Sequence, residues 1–134
     1  VDHAITKAKE KNIRAIELTV SAPFHCEYMK KSAEMLRQCF EQLNFKHPSV
    51  PIVSNYSALP FKDTDDIKAC LYKQTFSTVR WYEIITFIKS KEITRFIEVG
   101  YGNILTNMLR KDKDVKCSSI DSAIKIEDIA EENK

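Results

Sequence analysis

Apolar residues recur along this chain at two different spacings, and the wider one predicts helices. Between Glu27 and Leu43 they recur every three or four positions, which indicates an amphipathic helix. The same spacing predicts four further helices, over residues 2–11, 65–74, 77–89 and 103–111. Thr64 is in position to cap the helix that follows it. Helix 77–89 is apolar almost all round, so we expect it to be largely buried.

Short apolar runs between these helices predict strands. The runs cover residues 14–19, 50–54, 95–99 and 115–118. Gly100-Tyr101-Gly102 follows the third run and predicts a tight turn. Helices that alternate with strands indicate an α/β architecture with a mostly parallel sheet.

Composition is that of an ordinary soluble globular chain and excludes several functions. The 134 residues are 43% hydrophobic and 30% charged, with a net charge of +2 that is interleaved along the chain. We therefore expect neither nucleic-acid binding nor a membrane span. With only two glycines, the chain contains no phosphate loop, no dinucleotide fingerprint and no G-x-S-x-G nucleophile turn. The chain begins at Val1 rather than at a methionine, and a helical pattern starts at once. We therefore expect further sequence to precede Val1.

The four cysteines are widely separated and form no C-x-x-C or zinc-ligand pattern. On apolar helix faces, where Cys39 and Cys70 are predicted to lie, a free thiol behaves as a small hydrophobic group. Free thiols and a reducing compartment are therefore expected.

His25 is the candidate for chemistry. It follows a segment made extended by Pro23 and directly precedes the long helix, a loop position where α/β folds display functional groups. A histidine there can act as a general base near neutral pH. A hydrogen-bonded structural histidine is the alternative, and His3 and His47 are interpreted in that way.

Four blocks of sequence, spread over nearly the whole chain, carry a family resemblance. They are Ser21-Ala22-Pro23-Phe24-His25-Cys26, Pro51-Ile52-Val53-Ser54-Asn55, Gln74-Thr75-Phe76-Ser77-Thr78-Val79-Arg80-Trp81 and Glu98-Val99-Gly100-Tyr101-Gly102-Asn103-Ile104-Leu105. In this order and spacing they resemble the malonyl-CoA:acyl-carrier-protein transacylases. The last block departs from the family, which usually has proline where Tyr101 stands.

The resemblance implies a fold. Residues 1–20 would form the end of a small ferredoxin-like subdomain, as a helix plus a strand. Residues 21–134 would form the C-terminal segment of a hydrolase-like, parallel-sheet α/β acyltransferase core. The family's serine, its carboxylate-binding arginine and its oxyanion-hole glutamine would lie in an N-terminal half outside this chain.

The resemblance also implies a Ser–His ping-pong transfer of malonyl from malonyl-CoA to the phosphopantetheine thiol of acyl carrier protein, in fatty-acid synthesis. His25 would be the base, oriented by the main-chain carbonyl of Gln74. Phe24 and Asn55 would line the substrate cleft, Phe24 favouring malonyl over methylmalonyl. No cofactor or metal is implied. Without the serine, the isolated chain is expected to be inactive.

Several alternatives stay open at this stage. A polyketide synthase acyltransferase domain shares the base and the fold, whereas in a non-catalytic interaction module His25 would be structural. Phe24 could simply pack beneath its loop, and Asn55 could simply end a strand. Lys30, Lys31 and Arg37 on the exposed side of the long helix could bind an acidic carrier protein. The expected location is a bacterial cytoplasm, or a plastid or mitochondrial matrix in a eukaryote.

Overall fold

Helices and two short parallel strands make up the regular structure in a computed structural model that describes residues 1–17 and 20–120. In chain order the elements are α1 (Asp2–Glu10), a 3₁₀ turn (Glu27–Met29), α2 (Lys30–Glu41), α3 (Thr64–Gln74), α4 (Trp81–Lys89), β1 (Arg95–Val99), α5 (Ile104–Leu109) and β2 (Lys116–Ile120). The chain divides into two compact units, residues 1–80 and 81–134. No helix among the described residues is long and apolar enough to cross a lipid bilayer.

The core of the first unit lies where α2 meets α3. Ala33 and Phe40 of α2 are buried, as are Ile67 and Cys70 of α3. In each pair the apolar residues are spaced for one helix face, so each helix presents its apolar stripe to the other. The packing of α2 against α3 sets the position of the C-terminal end of α3. His25, the candidate base, is bound at that end.

The second unit contains the sheet. β1 pairs with β2 in parallel, in a register that runs from Arg95 beside Lys116 to Val99 beside Ile120. The predicted α/β class with parallel pairing is thereby confirmed. Lys89, at the end of α4, donates to Asp112 at 2.8 Å. This hydrogen bond raises the pKa of Lys89 and lowers that of Asp112.

Two of the four predicted strands are wrong in the described residues. Residues 14–17 are irregular, because no described segment offers them a strand to pair with; positions 18 and 19 lie outside the described residues. The run at 50–54 forms one antiparallel bridge, between Val53 and Pro60. Proline has no N–H to donate to a ladder, so a longer pairing is blocked beside Pro51 and Pro60.

Helix starts were predicted less well than helix existence. Asp63, not Thr64, caps α3 and accepts the N–H of Asp66 at 2.8 Å. The helix predicted from Ser77 begins at Trp81, and the N–H of Arg80 just before it donates to the carbonyl of Asn55. In α4, which was predicted to be largely buried, Ile84 and Ile85 are buried, whereas Tyr82 is 80% exposed. The four cysteines are free thiols, and Cys39 is exposed rather than on the buried face of α2.

Candidate active site

His25 lies exposed on the loop before α2, with its backbone in the left-handed region at φ 61°. Its ring Nδ1 is 2.9 Å from the main-chain carbonyl oxygen of Gln74, the last residue of α3. Its backbone N–H donates to the carbonyl of Thr75 at 3.3 Å. Two consecutive carbonyls from a segment 49 residues away therefore hold both the ring and the main chain of His25.

The carbonyls of Gln74 and Thr75 are available as hydrogen-bond acceptors because α3 ends there. The last carbonyls of a helix have no N–H partner within the helix, and they carry partial negative charge. A carbonyl can only accept, so the neutral His25 ring must hold its proton on Nδ1 in this contact. The lone pair then lies on Nε2, where a proton acceptor for chemistry is needed. The contact with Gln74 is the one that the family resemblance implies.

Asn55 begins a tight turn in the same unit and is exposed. The turn is built on Ser54, which is 1% exposed and whose hydroxyl accepts the N–H groups of Tyr56 and Ser57 at 3.1 and 3.3 Å. Ala58, with φ 57°, donates its N–H to the carbonyl of Ser54 and completes the turn. The turn that begins at Asn55 is thus held by the buried Ser54, a contact that the sequence analysis did not predict.

Arg80 also holds this turn, and the sequence analysis did not predict that contact either. Its N–H donates to the carbonyl of Asn55 at 3.0 Å, and its guanidinium donates to the carbonyl of Ser57 at 3.0 Å. The segment from Gln74 to Arg80 therefore holds His25 at one end and the Asn55 turn at the other. Both residues fall within quoted sequence blocks, but hydrogen bonds to main-chain carbonyls leave no pattern in a single sequence.

Phe24 is 56% exposed on the His25 loop. The described residues do not bury its ring beneath the loop, which was the alternative considered from sequence. The loop is further fixed by Cys26, whose thiol donates to the carbonyl of Pro23 at 3.0 Å. The structure brings His25 and Gln74 into contact. It also ties the Asn55 turn to the segment that follows Gln74, through the N–H of Arg80. Phe24 precedes His25 on the loop and is exposed.

The basic residues at the start and middle of α2 are largely paired with neighbouring acids. Lys30 donates to Glu27 at 2.9 Å, and Arg37 donates to Glu34 and, at 2.8 Å, to Glu41. The Arg37 hydrogen bond lowers the pKa of Glu34 and raises that of Arg37. The positive surface expected there is therefore partly neutralised within α2 itself. Among the described residues, no group of three or more His, Cys, Asp or Glu side chains could hold a metal ion.

Comparison with known sequences finds relatives named malonyl CoA-acyl carrier protein transacylase. The chain is 40% identical over 112 residues to the malonyl CoA-acyl carrier protein transacylase of Bacillus subtilis strain 168, a match that covers 83% of this chain and 35% of the relative. The chain spans about a third of the length of the curated relatives it matches. No protein-family model matches it.

Solved structures agree with the sequence comparison. FabD of Acinetobacter baumannii superposes with a TM-score of 0.90 and 31% identity, over 98% of this chain and 42% of that one. A malonyl-transacylase solved in complex with a type II PKS acyl-carrier protein superposes with a TM-score of 0.86 and 30% identity, over 99% of this chain and 43% of that one. Sequence and fold together show that this chain is homologous to the malonyl CoA-acyl carrier protein transacylases over about a third of their length.

Proposed function

We propose that this chain carries the general base of a malonyl-CoA:acyl-carrier-protein transacylase that serves fatty-acid synthesis. The observation that carries the proposal is the 2.9 Å contact between His25 Nδ1 and the carbonyl oxygen of Gln74. It leaves the basic nitrogen Nε2 of an exposed ring free for proton transfer. The homology of the chain to transacylases supplies the reaction in which such a base is used.

In the first half-reaction, a serine hydroxyl attacks the thioester carbonyl of malonyl-CoA. His25 Nε2 takes the proton from the hydroxyl as the new C–O bond forms. The imidazolium then gives this proton to the sulfur of CoA as the C–S bond breaks. The malonyl group remains on the serine as an ester, and free CoA leaves as the thiol.

In the second half-reaction, the phosphopantetheine thiol of the carrier protein is the nucleophile, as the serine hydroxyl is in the first. His25 removes the thiol proton, and the thiolate attacks the serine ester. The proton returns from His25 to the serine oxygen as the ester bond breaks. Each half-reaction passes through an imidazolium, whose Nδ1–H still donates to the Gln74 carbonyl at the end of α3.

The serine must come from residues outside the 134 of this chain, which contain no G-x-S-x-G turn. A base without a nucleophile has nothing to activate. The chain alone is therefore expected to be inactive in malonyl transfer. It is expected to work together with the part of the enzyme that its relatives possess beyond the matched third.

Phe24 and Asn55 are assigned to substrate selection. Phe24 is the residue before the base and is exposed, and its ring would occupy the volume needed by the α-methyl of methylmalonyl. One methyl group in such a pocket changes binding by about 1–3 kcal/mol, so the preference for malonyl is useful but not absolute. Asn55, on its Ser54-built turn, would contribute a polar group to the same cleft.

A polyketide carrier protein is a second candidate acceptor. The observation in its favour is the similarity to a malonyl-transacylase solved with a type II PKS acyl-carrier protein. The chemistry at His25 is the same in both cases. Transfer rates to a fatty-acid carrier protein and to a polyketide carrier protein, measured side by side, would separate the two candidates.

The test is a comparison of two histidine variants in the enzyme completed with its serine-bearing portion. His25→Ala should lower the rate of malonyl transfer about 10²–10⁴-fold, which is the usual contribution of a positioned acid–base group. His47→Ala is the matched control, because His47 also contacts a main-chain carbonyl, that of its neighbour Pro48 at 3.0 Å. Equal rates for His25→Ala and His47→Ala would overturn the proposed function.

A further inference from the structure

Three side chains join the end of α3 to the start of α2. The rings of Tyr72 and Phe76 meet edge to face, with their centroids 5.2 Å apart. The ammonium group of Lys30 lies over the Phe76 ring, 5.8 Å from its centroid. Tyr72 belongs to the last turn of α3, and Lys30 is the first residue of α2. We call these three residues, Lys30, Tyr72 and Phe76, the Phe76 cluster.

The Phe76 cluster joins the same two segments that meet at His25. Its two aromatic residues stand on either side of Gln74 and Thr75, whose carbonyls bind His25. Its cation, Lys30, follows His25 by five residues, and the 3₁₀ turn Glu27–Met29 fills most of that interval. The contacts of His25 and those of the cluster therefore connect the same helix end to the same loop.

The contact at His25 needs this second connection. A hydrogen bond weakens steeply when its angle or distance changes, and helix ends fray. The Gln74 carbonyl belongs to such an end, and His25 lies on an exposed loop. Phe76 closes the end of α3, because its N–H donates to the carbonyl of Lys73 at 3.3 Å and its ring returns to Tyr72. Edge-to-face ring pairs and cations over aromatic rings are both attractive.

We propose that Phe76 is a positioning residue for malonyl transfer, which holds the Gln74 carbonyl at hydrogen-bonding distance from the His25 ring. Phe76 acts through that carbonyl and not by contact with the substrate. The inference rests on the proposed function in that His25 is the base. Its effect on the ring does not, because the tautomer of a histidine is set by the hydrogen bond that its other nitrogen makes. A catalytic group displaced by about 1 Å can lose about 10²-fold in rate.

The chain offers a matched control within the same unit. Phe45 is half-buried, as Phe76 is, and it makes the same two kinds of contact. Its ring meets Phe40 edge to face at 5.5 Å, and Lys68 lies over it at 5.7 Å. Phe45 follows the C-terminal end of α2, whereas His25 precedes the start of that helix. Leucine at position 45 or 76 therefore removes equivalent ring contacts, but only one of the two changes lies beside the base.

The experiment records the ¹⁵N spectrum of the His25 ring in the 134-residue chain, and malonyl transfer by the enzyme completed with its serine-bearing portion. Phe76→Leu should lower the fraction of neutral rings that carry the proton on Nδ1. It should also lower kcat about tenfold and leave KM within about twofold of wild type. Phe76→Tyr keeps the ring and should restore both readouts to within about twofold of wild type. Phe45→Leu should change neither readout by more than about twofold.

The outcomes separate this inference from the catalytic proposal. An unchanged ¹⁵N spectrum in Phe76→Leu, or equal changes in Phe76→Leu and Phe45→Leu, would overturn the role of Phe76. A shifted spectrum with undiminished transfer would also overturn it if His25→Ala is inactive. If His25→Ala is instead fully active, the same result counts against the proposed function and leaves the ring contact standing.

A second variant decides the question if circular dichroism shows that Phe76→Leu does not fold. Lys30→Met removes the cation over the Phe76 ring and keeps a side chain of similar length. The ¹⁵N spectrum of His25 should then shift in the same direction, by a smaller amount, because the contact with Tyr72 remains. A spectrum identical to that of the wild-type chain would overturn the role of Phe76.

Discussion

Two helix ends in the described part of the chain bind a side chain from another element, and they do so with opposite polarity. At the C-terminal end of α3, carbonyl groups accept hydrogen bonds from His25. At the N-terminal end of α5, the N–H groups of Leu105 and Thr106 donate to the Glu98 carboxylate at 3.0 and 2.8 Å. Both ends satisfy groups that a helix leaves without partners. A donor goes to the C-terminus and an acceptor to the N-terminus, as the partial charges require.

The difference lies in whether each side chain has a hydrogen-bonding atom that these contacts do not use. Glu98 uses both oxygens, since the hydroxyl of Thr106 also donates to it at 2.7 Å. His25 uses one ring nitrogen and keeps the other exposed. A side chain whose polar atoms are all hydrogen-bonded stabilises the structure. A side chain that is held through one atom and keeps another atom available is oriented and can still react. Glu98 is therefore expected to matter for stability, and His25 for chemistry.

The largest expected effect on stability comes from Glu98→Ala. It removes the carboxylate that holds Leu105 and Thr106 at the start of α5 and leaves their N–H groups without that partner. The Tm should fall by several degrees, and amide hydrogen exchange at these two residues should become much faster. Asn103→Ala is the matched control, because the Asn103 side chain makes no capping hydrogen bond and instead accepts one N–H of the Asn107 side chain at 3.0 Å. An equal loss of stability in both variants would contradict the role given to Glu98.

The next prediction concerns pH. The Thr106 N–H, followed by the Thr106 hydroxyl and the Leu105 N–H, lowers the pKa of Glu98 below its ordinary value. A carboxylate with a lowered folded-state pKa stabilises the fold above its unfolded pKa and loses this effect as the pH falls through the folded value. Between about pH 5 and pH 3 the urea midpoint of the wild-type chain should therefore fall. Glu98→Gln should lose less over this range, and parallel curves for the two proteins would exclude the effect.

Local structure near these two helix ends was predictable from the sequence, whereas the contact that holds His25 was not predictable from local sequence. Strand β1 was predicted with its observed bounds, Arg95–Val99, because five residues of local pattern define it. The contact between His25 and the Gln74 carbonyl was expected through family resemblance, since nothing in the local sequence links residues 49 positions apart. The catalytic role of His25 and the substrate roles of Phe24 and Asn55 stay predictions, as does the division into residues 1–20 and 21–134.

The failures have a common physical origin in hydrogen bonds that cross between segments. Asn103, predicted as the start of the helix, is the N-cap of α5, but the hydrogen bonds to that helix end come from Glu98 on a strand and were not predicted. Arg80 donates its N–H to Asn55, within a segment that was predicted to be helical and is not. Ser54 was quoted within an apolar run, although its buried hydroxyl organises the Asn55 turn. Apolar periodicity reports which face of an element is buried, and it does not report these contacts.

A smaller effect on stability should separate strain from chemistry at His25. Its φ of 61° is costly for a residue with a Cβ and costs glycine nothing. His25→Gly should therefore be more stable to urea than His25→Ala by about 1 kcal/mol, although both lack the ring. At His47, whose φ is not positive, the order should reverse because glycine gains more freedom in the unfolded chain. The same order at both positions would show that the left-handed backbone of His25 carries no strain.

The smallest expected effect comes from Gln74→Ala, which tests whether main chain or side chain orients the base. His25 contacts the backbone carbonyl of Gln74, and alanine keeps that carbonyl while remaining compatible with the end of α3. Malonyl transfer by the completed enzyme should fall by about threefold or less, far from the loss expected for His25→Ala. The ¹⁵N spectrum of the His25 ring should still report a proton on Nδ1. A loss of a hundredfold with that spectrum unchanged would instead assign the Gln74 amide a direct contact with the reacting groups.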